Sequence, residues 1–219
     1  MLKRFIGCFA LCFMFLVVAA QQQFAEGTIR YRIEISSGSD APAMIDMLDG
    51  AYQLLSIKGA QTRTDTKSLL GSSTIIHDAR SGNAVLLNEY GGQKILIRMN
   101  AADYKDRNRK FAEMRFDLQS DRKKIAGYNC RLAIAALKDG TSFRVWFTSD
   151  LIIPNKNYAA EFVNLPGVPL EFESQLGKIK VTYVAEKVSA VTVPAANFDV
   201  PKSGYREMSY EEVKKMQRN

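Results

Sequence analysis

The sequence predicts a mainly β protein, built as a curved antiparallel sheet or half-barrel with one short helix near the N-terminus and a second helix at the C-terminus. Apolar and polar residues alternate along many short segments, which is typical of half-buried antiparallel strands. Glycine-rich turns separate these segments. No long helical pattern alternates with the strands, so a parallel α/β fold is disfavoured. A two-sheet sandwich is the main alternative.

The alternation is clearest in the first predicted strand, residues 28–35. Isoleucine and tyrosine side chains fall on one face of this strand, and mostly charged side chains fall on the other. After a turn-rich stretch, Asp40 can cap a short helix that ends at Gly50. Met44 and Met47 recur in it at helical spacing.

The other strands are predicted from the same alternation and from the turns between them. They cover residues 51–57, 61–68, 73–78, 84–90, 94–99, 114–118, 128–136, 142–147, 170–174 and 178–188. Residues 101–112 are polar and break this rhythm, which predicts a solvated loop. Ser209 and Glu212 form a capping box, so a last helix is expected over residues 209–217.

Residues 1–20 are typical of a cleavable secretory signal peptide. Lys3 and Arg4 precede an apolar stretch of 16 residues, whereas a membrane-spanning helix needs about 20. The residues before the two cysteines of this region do not fit a lipoprotein signal. Cleavage after Ala20 is therefore expected to leave one soluble periplasmic domain, residues 21–219, that is neither a lipoprotein nor transmembrane.

The mature chain has only a mild excess of basic residues. Loss of Lys3 and Arg4 lowers the net charge from +7 to +5. The basic residues are densest at 105–110 and 122–124, where no aromatic residues interleave for base stacking. Both stretches are interpreted as solvated loops, so no nucleic-acid binding is expected. A weak contact with an anionic membrane surface stays open.

Several short motifs between residues 121 and 205 resemble one known family. They are Gly127-Tyr128-Asn129-Cys130, Trp146-Phe147-Thr148-Ser149-Asp150, Leu165-Pro166-Gly167-Val168-Pro169-Leu170 and Phe198-Asp199-Val200-Pro201. These motifs are similar to those of the GLPGLI family of exported Gram-negative envelope proteins, although Val168-Pro169 replaces leucine and isoleucine of the naming motif. The resemblance implies a fold like that of the LolA and LolB carriers, with a curved sheet around a helix and an apolar concavity. It implies no catalytic residue.

Cys130 and His77 are the sharpest candidates for chemistry, and both are interpreted as structural. Cys130 is the only cysteine of the mature chain, and a catalytic thiol needs a nearby base or cation to lower its pKa. Its place on a strand between Tyr128 and Leu132 indicates a small buried hydrophobic residue. His77 is the only histidine, and it has neither the companions of a metal site nor the nucleophile elbow of a hydrolase.

The acidic residues and glycines do not indicate catalysis either. Glu171 and Glu173 alternate on one strand face and are expected to be solvated, not to form a glycosidase pair. Gly91-Gly92 lacks the lysine and helix of a phosphate-binding loop. We therefore predict a protein that is not an enzyme and that holds no metal or cofactor.

Candidate ligand-binding residues come from the aromatic strands and from the proline-glycine turn. Trp146 points away from the apolar row of its own strand. It either fills a second core, or lines the concave face with Tyr31, Ile33 or Leu132. The turn at Leu165 is either an apolar loop at the mouth of a cavity or a turn packed against the core. The candidate residues are Tyr31, Ile33, Trp146, Leu165, Pro166 and Val168.

Together these observations favour a periplasmic non-enzymatic protein that binds a lipid or acyl chain in the concave face of its sheet. The alternative is an envelope assembly or protein-interaction module with a filled core. A continuous apolar cavity would favour the first function, and an exposed apolar patch the second.

Overall fold

The computed structural model describes residues 21–35, 50–176 and 179–216. The predicted signal peptide, residues 1–20, and the predicted helix around Met44 and Met47 lie outside these ranges. Within them, no helix is long and apolar enough to cross a membrane.

Strands make up most of the described chain. They are β1 (Gln22–Gln23), β2 (Glu26–Ile35), β3 (Tyr52–Lys58), β4 (Gln61–Ser68), β5 (Gly71–Asp78), β6 (Ala84–Tyr90), β7 (Gln93–Met99), β8 (Arg115–Ile125), β9 (Tyr128–Ala136), β10 (Ser142–Thr148), β11 (Leu151–Ile152), β12 (Val168–Leu176), β13 (Ile179–Ser189) and β14 (Arg206–Ser209). The described helices are α1 (Ala101–Arg107) and α2 (Tyr210–Met216), with 3-10 helices at Arg109–Phe111, Lys156–Tyr158, Ala160–Phe162 and Ala195–Phe198.

Twelve of the described strands form one curved sheet in the order β14-β7-β6-β5-β4-β3-β2-β13-β12-β10-β9-β8. Neighbouring strands are antiparallel, except that β14 runs parallel to β7. β14 and β8 are the two edges, so the sheet is open and not a closed barrel. β1 and β11 form a separate two-stranded parallel sheet. The predicted curved antiparallel sheet is confirmed.

The predicted meander of hairpins from residue 51 to residue 99 is confirmed, because β3 to β7 pair in sequence order. Several strands are longer than predicted, and β8 and β12 differ most. β8 reaches Ile125 instead of ending at Leu118, so residues 122–124 lie in a strand and not in a loop. β12 begins at Val168 instead of Leu170.

The expectation of a loop over residues 101–112 is wrong, because α1 begins there. The Asn100 side chain accepts hydrogen bonds from the backbone N–H groups of Ala102 and Asp103. The Asp103 carboxylate accepts one from the Asn100 backbone in return, which completes a capping box. The helix buries none of its residues fully, so apolar periodicity gave no signal for it.

The C-terminal helix agrees with its prediction. The Ser209 hydroxyl accepts from the Glu212 backbone N–H at 3.2 Å, and Glu212 Oε2 accepts from the Ser209 backbone N–H at 2.7 Å. This reciprocal pair caps α2 at the residues that the sequence indicated.

The two faces of the sheet pack against different parts of the chain. We call the face that carries Tyr31 the inner face, and the opposite one the outer face. The register aligns Ile33, Tyr183 and Phe172 across three strands on the inner face. The segment 151–165 packs over them. The main hydrophobic core therefore lies between this segment and the inner face.

Farther along the inner face, helix α1 packs over the sheet instead of the segment 151–165. Its Tyr104 ring stacks on His77 of β5 with 4.3 Å between ring centroids. On the outer face, Ile76 packs against Val193 and Phe198 in a small separate cluster.

Candidate functional site

Two of the predicted site residues, Tyr31 and Ile33, are part of the main core. Tyr31 is 2% exposed and Ile33 is 9% exposed. The Tyr31 hydroxyl donates to the Pro169 carbonyl oxygen at 2.9 Å. Its ring meets Phe172 edge-on, with 5.6 Å between centroids. Protein atoms therefore occupy the space around both side chains on this part of the inner face.

The predicted grouping of Trp146 with Tyr31 and Ile33 is wrong. Trp146 pairs across the sheet with Leu132 and Glu171, whereas its neighbour Val145 pairs with the inner-face residue Phe172. Because successive side chains of a strand alternate in direction, Trp146 lies on the outer face. Lys123 Nζ lies 4.4 Å from its ring centroid, which is a cation–π contact.

The turn at Leu165 combines the two interpretations left open by the sequence. Leu165 and Val168 are buried in the main core. An added Cβ at Gly167 would overlap the Thr148 carbonyl oxygen and lie 2.7 Å from the Phe147 ring, so the turn packs tightly on the end of β10. The same turn also lines a cavity of 360 Å³.

We call this cavity the apolar pocket. Besides the three predicted residues of the turn, its apolar lining includes Leu151, Ile152, Ile153, Phe162 and Val163. The exposed Lys156 contributes an ammonium group to the same lining. A volume of this size falls in the range of sites for small molecules. Leu165, Pro166 and Val168 thus all line the apolar pocket.

A second cavity lies between the inner face of β3 to β5 and a cover formed by α1 and residues 158–161. We call it the polar chamber, and its volume is 220 Å³. The polar side chains of its lining are Gln53, Thr62, Thr64, Thr66, Ser73, His77, Tyr104, Arg107, Asn108, Tyr158 and Glu161. This site was not predicted from the sequence.

Two polar atoms of the chamber residues, His77 Nδ1 and Tyr158 Oη, are buried without a hydrogen-bond partner in the part of the chain that the structure describes. The residues themselves are only 4% and 7% exposed. Burial lowers the pKa of the His77 imidazole, so the ring is neutral at pH 7. An unpartnered buried polar atom is costly, and a native structure normally supplies a partner such as water or a ligand.

Glu161 is the acidic group of the polar chamber. Burial raises the pKa of its carboxyl, and the charges of Arg107 and Lys110 partly oppose this effect. Burial, together with the Glu161 charge, raises the pKa of Tyr104 to about 12. Tyr104 therefore keeps its hydroxyl proton at neutral pH and can both donate and accept a hydrogen bond.

A wider groove of 560 Å³ adjoins the polar chamber, because Ser73 and Arg107 line both. Its floor includes Leu86, Ile97 and Met99. At its rim, Asp106 accepts hydrogen bonds from Lys214 Nζ at 2.7 Å and from the Tyr210 hydroxyl at 2.9 Å. These bonds join α1 to α2.

The interpretation of Cys130 as a small buried residue is confirmed, because it is 1% exposed in the core. Burial raises the pKa of the Cys130 thiol to about 11, so the thiol stays protonated at neutral pH. His77 lies on a strand as predicted, but its place in the polar chamber was not foreseen. No group of three or more potential metal ligands is present within the described ranges.

The expectation that Glu173 is solvated is wrong, since this residue is 5% exposed. Its carboxylate accepts from Arg144 Nε at 2.9 Å and from the Arg144 backbone N–H at 3.0 Å. Lys180 Nζ lies 3.1 Å from Glu173 Oε2. Burial opposes ionisation of Glu173, but these partners outweigh it and lower the carboxyl pKa. Glu171 pairs likewise with Lys123 at 2.7 Å.

One sequence signal could have indicated the polar chamber. β4 lies in the middle of the sheet, yet its sequence, Gln61 to Ser68, contains no apolar residue. A central strand with one face turned to a core normally carries apolar side chains on that face. The threonines at 62, 64 and 66 therefore mark a polar interior.

Comparisons with known proteins support the fold and nothing finer. No protein-family model matches the chain, and no curated protein matches it. Two structures of PNGF-II are similar, with TM-scores of 0.51 and 0.50, identities of 12% and 13%, and coverage of 88% and 87% of this chain. The match covers 33% and 32% of the PNGF-II chains, so this chain spans about a third of their length. MucB matches with a TM-score of 0.29 and 13% identity, over 84% of this chain and 59% of its own.

Proposed function

We propose that the mature protein is a non-enzymatic binding protein of the cell envelope that holds a hydrophobic ligand, such as an acyl chain, in the apolar pocket. The observation that carries this proposal is the mainly apolar lining, contributed largely by residues between Leu151 and Val168, around 360 Å³ of space. Gln21, Ser149, Lys156 and Asn164 are its polar members. Burying an acyl chain there removes its methylene groups from water, and each group contributes about 0.8 kcal/mol.

The position of the pocket refines the expected site. The inner face at Tyr31 is filled by Phe172 and by the covering segment, whose Phe162 ring lies 5.0 Å from that of Phe172. Space for a ligand remains on the other side of this packing, beside the Leu165 turn. Lys156 supplies an ammonium group that suits the carboxylate or phosphate end of an amphiphile.

Export to the periplasm and membership of a GLPGLI-like family remain parts of this proposal. The signal-like residues 1–20 support export, and the motifs around Cys130 and Trp146 support the family resemblance. The protonated buried thiol of Cys130 supports a protein without a reactive cysteine.

A glutamate at Val163 is expected to weaken the binding of a fluorescent fatty acid at least tenfold. Val163 lines the pocket and is 41% exposed, so Val163→Glu changes the pocket without removing a core side chain. A carboxylate next to an apolar ligand loses hydration, and a tenfold loss corresponds to about 1.4 kcal/mol. Fluorescence titration of the mature protein measures the two affinities.

The matched control is Val191→Glu, since Val191 is 53% exposed and does not line the pocket. It should bind the fatty acid as the unchanged protein does. Equal affinities for both variants, or no binding by the unchanged protein, would contradict the proposal.

A second candidate function, an interaction module, rests on an exposed apolar patch. Leu69 and Leu70, in the turn between β4 and β5, are 77% and 42% exposed, and Tyr90 of the next hairpin is 45% exposed. Gly71 pairs with Tyr90 across the sheet, so these side chains come from neighbouring hairpins. An apolar patch of this kind is typical of contact sites on other surfaces.

A further inference from the structure

We propose that the polar chamber is a second binding site, which takes a small uncharged molecule rich in hydroxyl groups, such as a sugar or a polyol. The polar chamber shares one lining residue, Tyr158, with the apolar pocket. Its other lining residues are different, and most of them are polar.

The floor of the chamber is a set of side chains that both donate and accept hydrogen bonds. Strand alternation places Thr62, Thr64 and Thr66 together on the inner face of β4. On one side, Gln53 Nε2 donates to Thr66 Oγ1 at 3.3 Å; on the other, the Ser73 hydroxyl donates to Asn88 Oδ1 at 2.9 Å. A row of hydroxyl groups in a covered interior is costly unless it meets polar partners.

Two buried polar atoms of residues in the other walls of the chamber lack a hydrogen-bond partner among the described residues. His77 Nδ1 lies on the β5 side, and Tyr158 Oη belongs to the cover. Both residues are more than nine-tenths buried, so bulk water does not satisfy them. The two atoms are themselves enclosed by protein, so a ligand in the chamber contacts the hydroxyl and amide groups of the floor instead.

The charges around the chamber favour a ligand without net charge. An acidic side chain, Glu161, and a basic side chain, Arg107, line the same space. A charged ligand of either sign would therefore lie near a side chain that can carry the same charge. Burial keeps the His77 ring neutral by lowering its pKa. Tyr104, whose ring stacks on His77, is half-buried and lines the chamber.

The size of the chamber and its connection to the surface are compatible with such a ligand. A volume of 220 Å³ has room for several water molecules or for one compact ring. The adjoining groove, which shares Ser73 and Arg107, gives a route from the surface.

The test is titration calorimetry of the mature protein with glucose, N-acetylglucosamine, trehalose, glycerol and myo-inositol. At least one of these compounds is expected to bind. Thr64→Val and Thr66→Val each remove one floor hydroxyl at nearly constant shape, so each should weaken binding at least fivefold. Tyr52→Phe is the matched control and should bind normally, because the Tyr52 ring lies under Arg30 and does not line the chamber.

The absence of heat with every compound, with water alone filling the chamber, would overturn the inference. Binding by Thr64→Val and Thr66→Val that is as strong as binding by the unchanged protein would overturn it as well. Because Thr64 does not line the apolar pocket, Thr64→Val should leave fatty-acid binding unchanged. A failure of this inference is therefore distinguishable from a failure of the proposed function.

Discussion

Phe172→Ala is expected to lower the free energy of unfolding by about 3–5 kcal/mol. Phe172 is 7% exposed and lies at the centre of an aromatic cluster, stacked on Tyr183 at 4.7 Å and in edge contact with Tyr31 at 5.6 Å and Phe162 at 5.0 Å. Truncation removes all three contacts and leaves a cavity between the sheet and its covering segment. Urea denaturation measures the change, and the melting temperature should fall by about 6–20 °C in a chain of this length.

Two further variants control for this measurement. Phe172→Leu keeps most of the buried apolar volume and should cost clearly less than the alanine variant. Val191→Ala, at an exposed position, should change stability by no more than about 0.5 kcal/mol. If Phe172→Ala cost no more than Val191→Ala, the covering segment would not pack on the inner face as described.

Gly71→Ala is expected to destabilise the protein by about 2–5 kcal/mol, since strain and overlap act together at this residue. Its φ angle is +142°, and an added Cβ would overlap the Glu89 carbonyl oxygen and lie 2.8 Å from the Tyr90 ring. The alanine must therefore disturb the pairing between β5 and β6. A thermal melt followed by circular dichroism checks the size of the loss.

Gly140→Ala separates the two causes. Gly140 has a φ angle of +86°, but apart from its chain neighbours no atom of the described residues lies within 4 Å of an added Cβ. Only backbone strain of about 1–2 kcal/mol is therefore expected. Equal losses for Gly71→Ala and Gly140→Ala would mean that the close approach to Glu89 does not matter.

Much of the sheet follows from the sequence because its strands are short, antiparallel and joined by tight turns. In the hairpin of β3 and β4, for example, the two-residue turn Gly59-Ala60 fixes the register locally. The C-terminal helix is indicated in the same local way by Ser209 and Glu212. Helix α1 also has a local signal in Asn100 and Asp103, but its exposed surface lacks the apolar stripe that usually draws attention to a helix.

The faces of distant strands are harder to predict from the sequence. Alternation shows that Trp146 opposes Val145, but not which of the two shares a face with Tyr31. The answer depends on how β10 is connected to β2 across the sheet, through β12 and β13. β2 and β10 are far apart in the chain, so local sequence patterns do not reveal this connection. The polar chamber depends on the same long-range order, since its side chains come from β3, β4, β5, α1 and the covering segment.

The most direct test of the proposed hydrophobic ligand is native mass spectrometry of the mature protein, purified from the periplasm without detergent. We expect a bound molecule that organic solvent extracts as a lipid or fatty acid. This mass should be lost in Val163→Glu and kept in Val191→Glu. A mass corresponding to the protein alone in every preparation would contradict the proposed ligand, and would favour an interaction module that uses the exposed patch at Leu69 and Leu70.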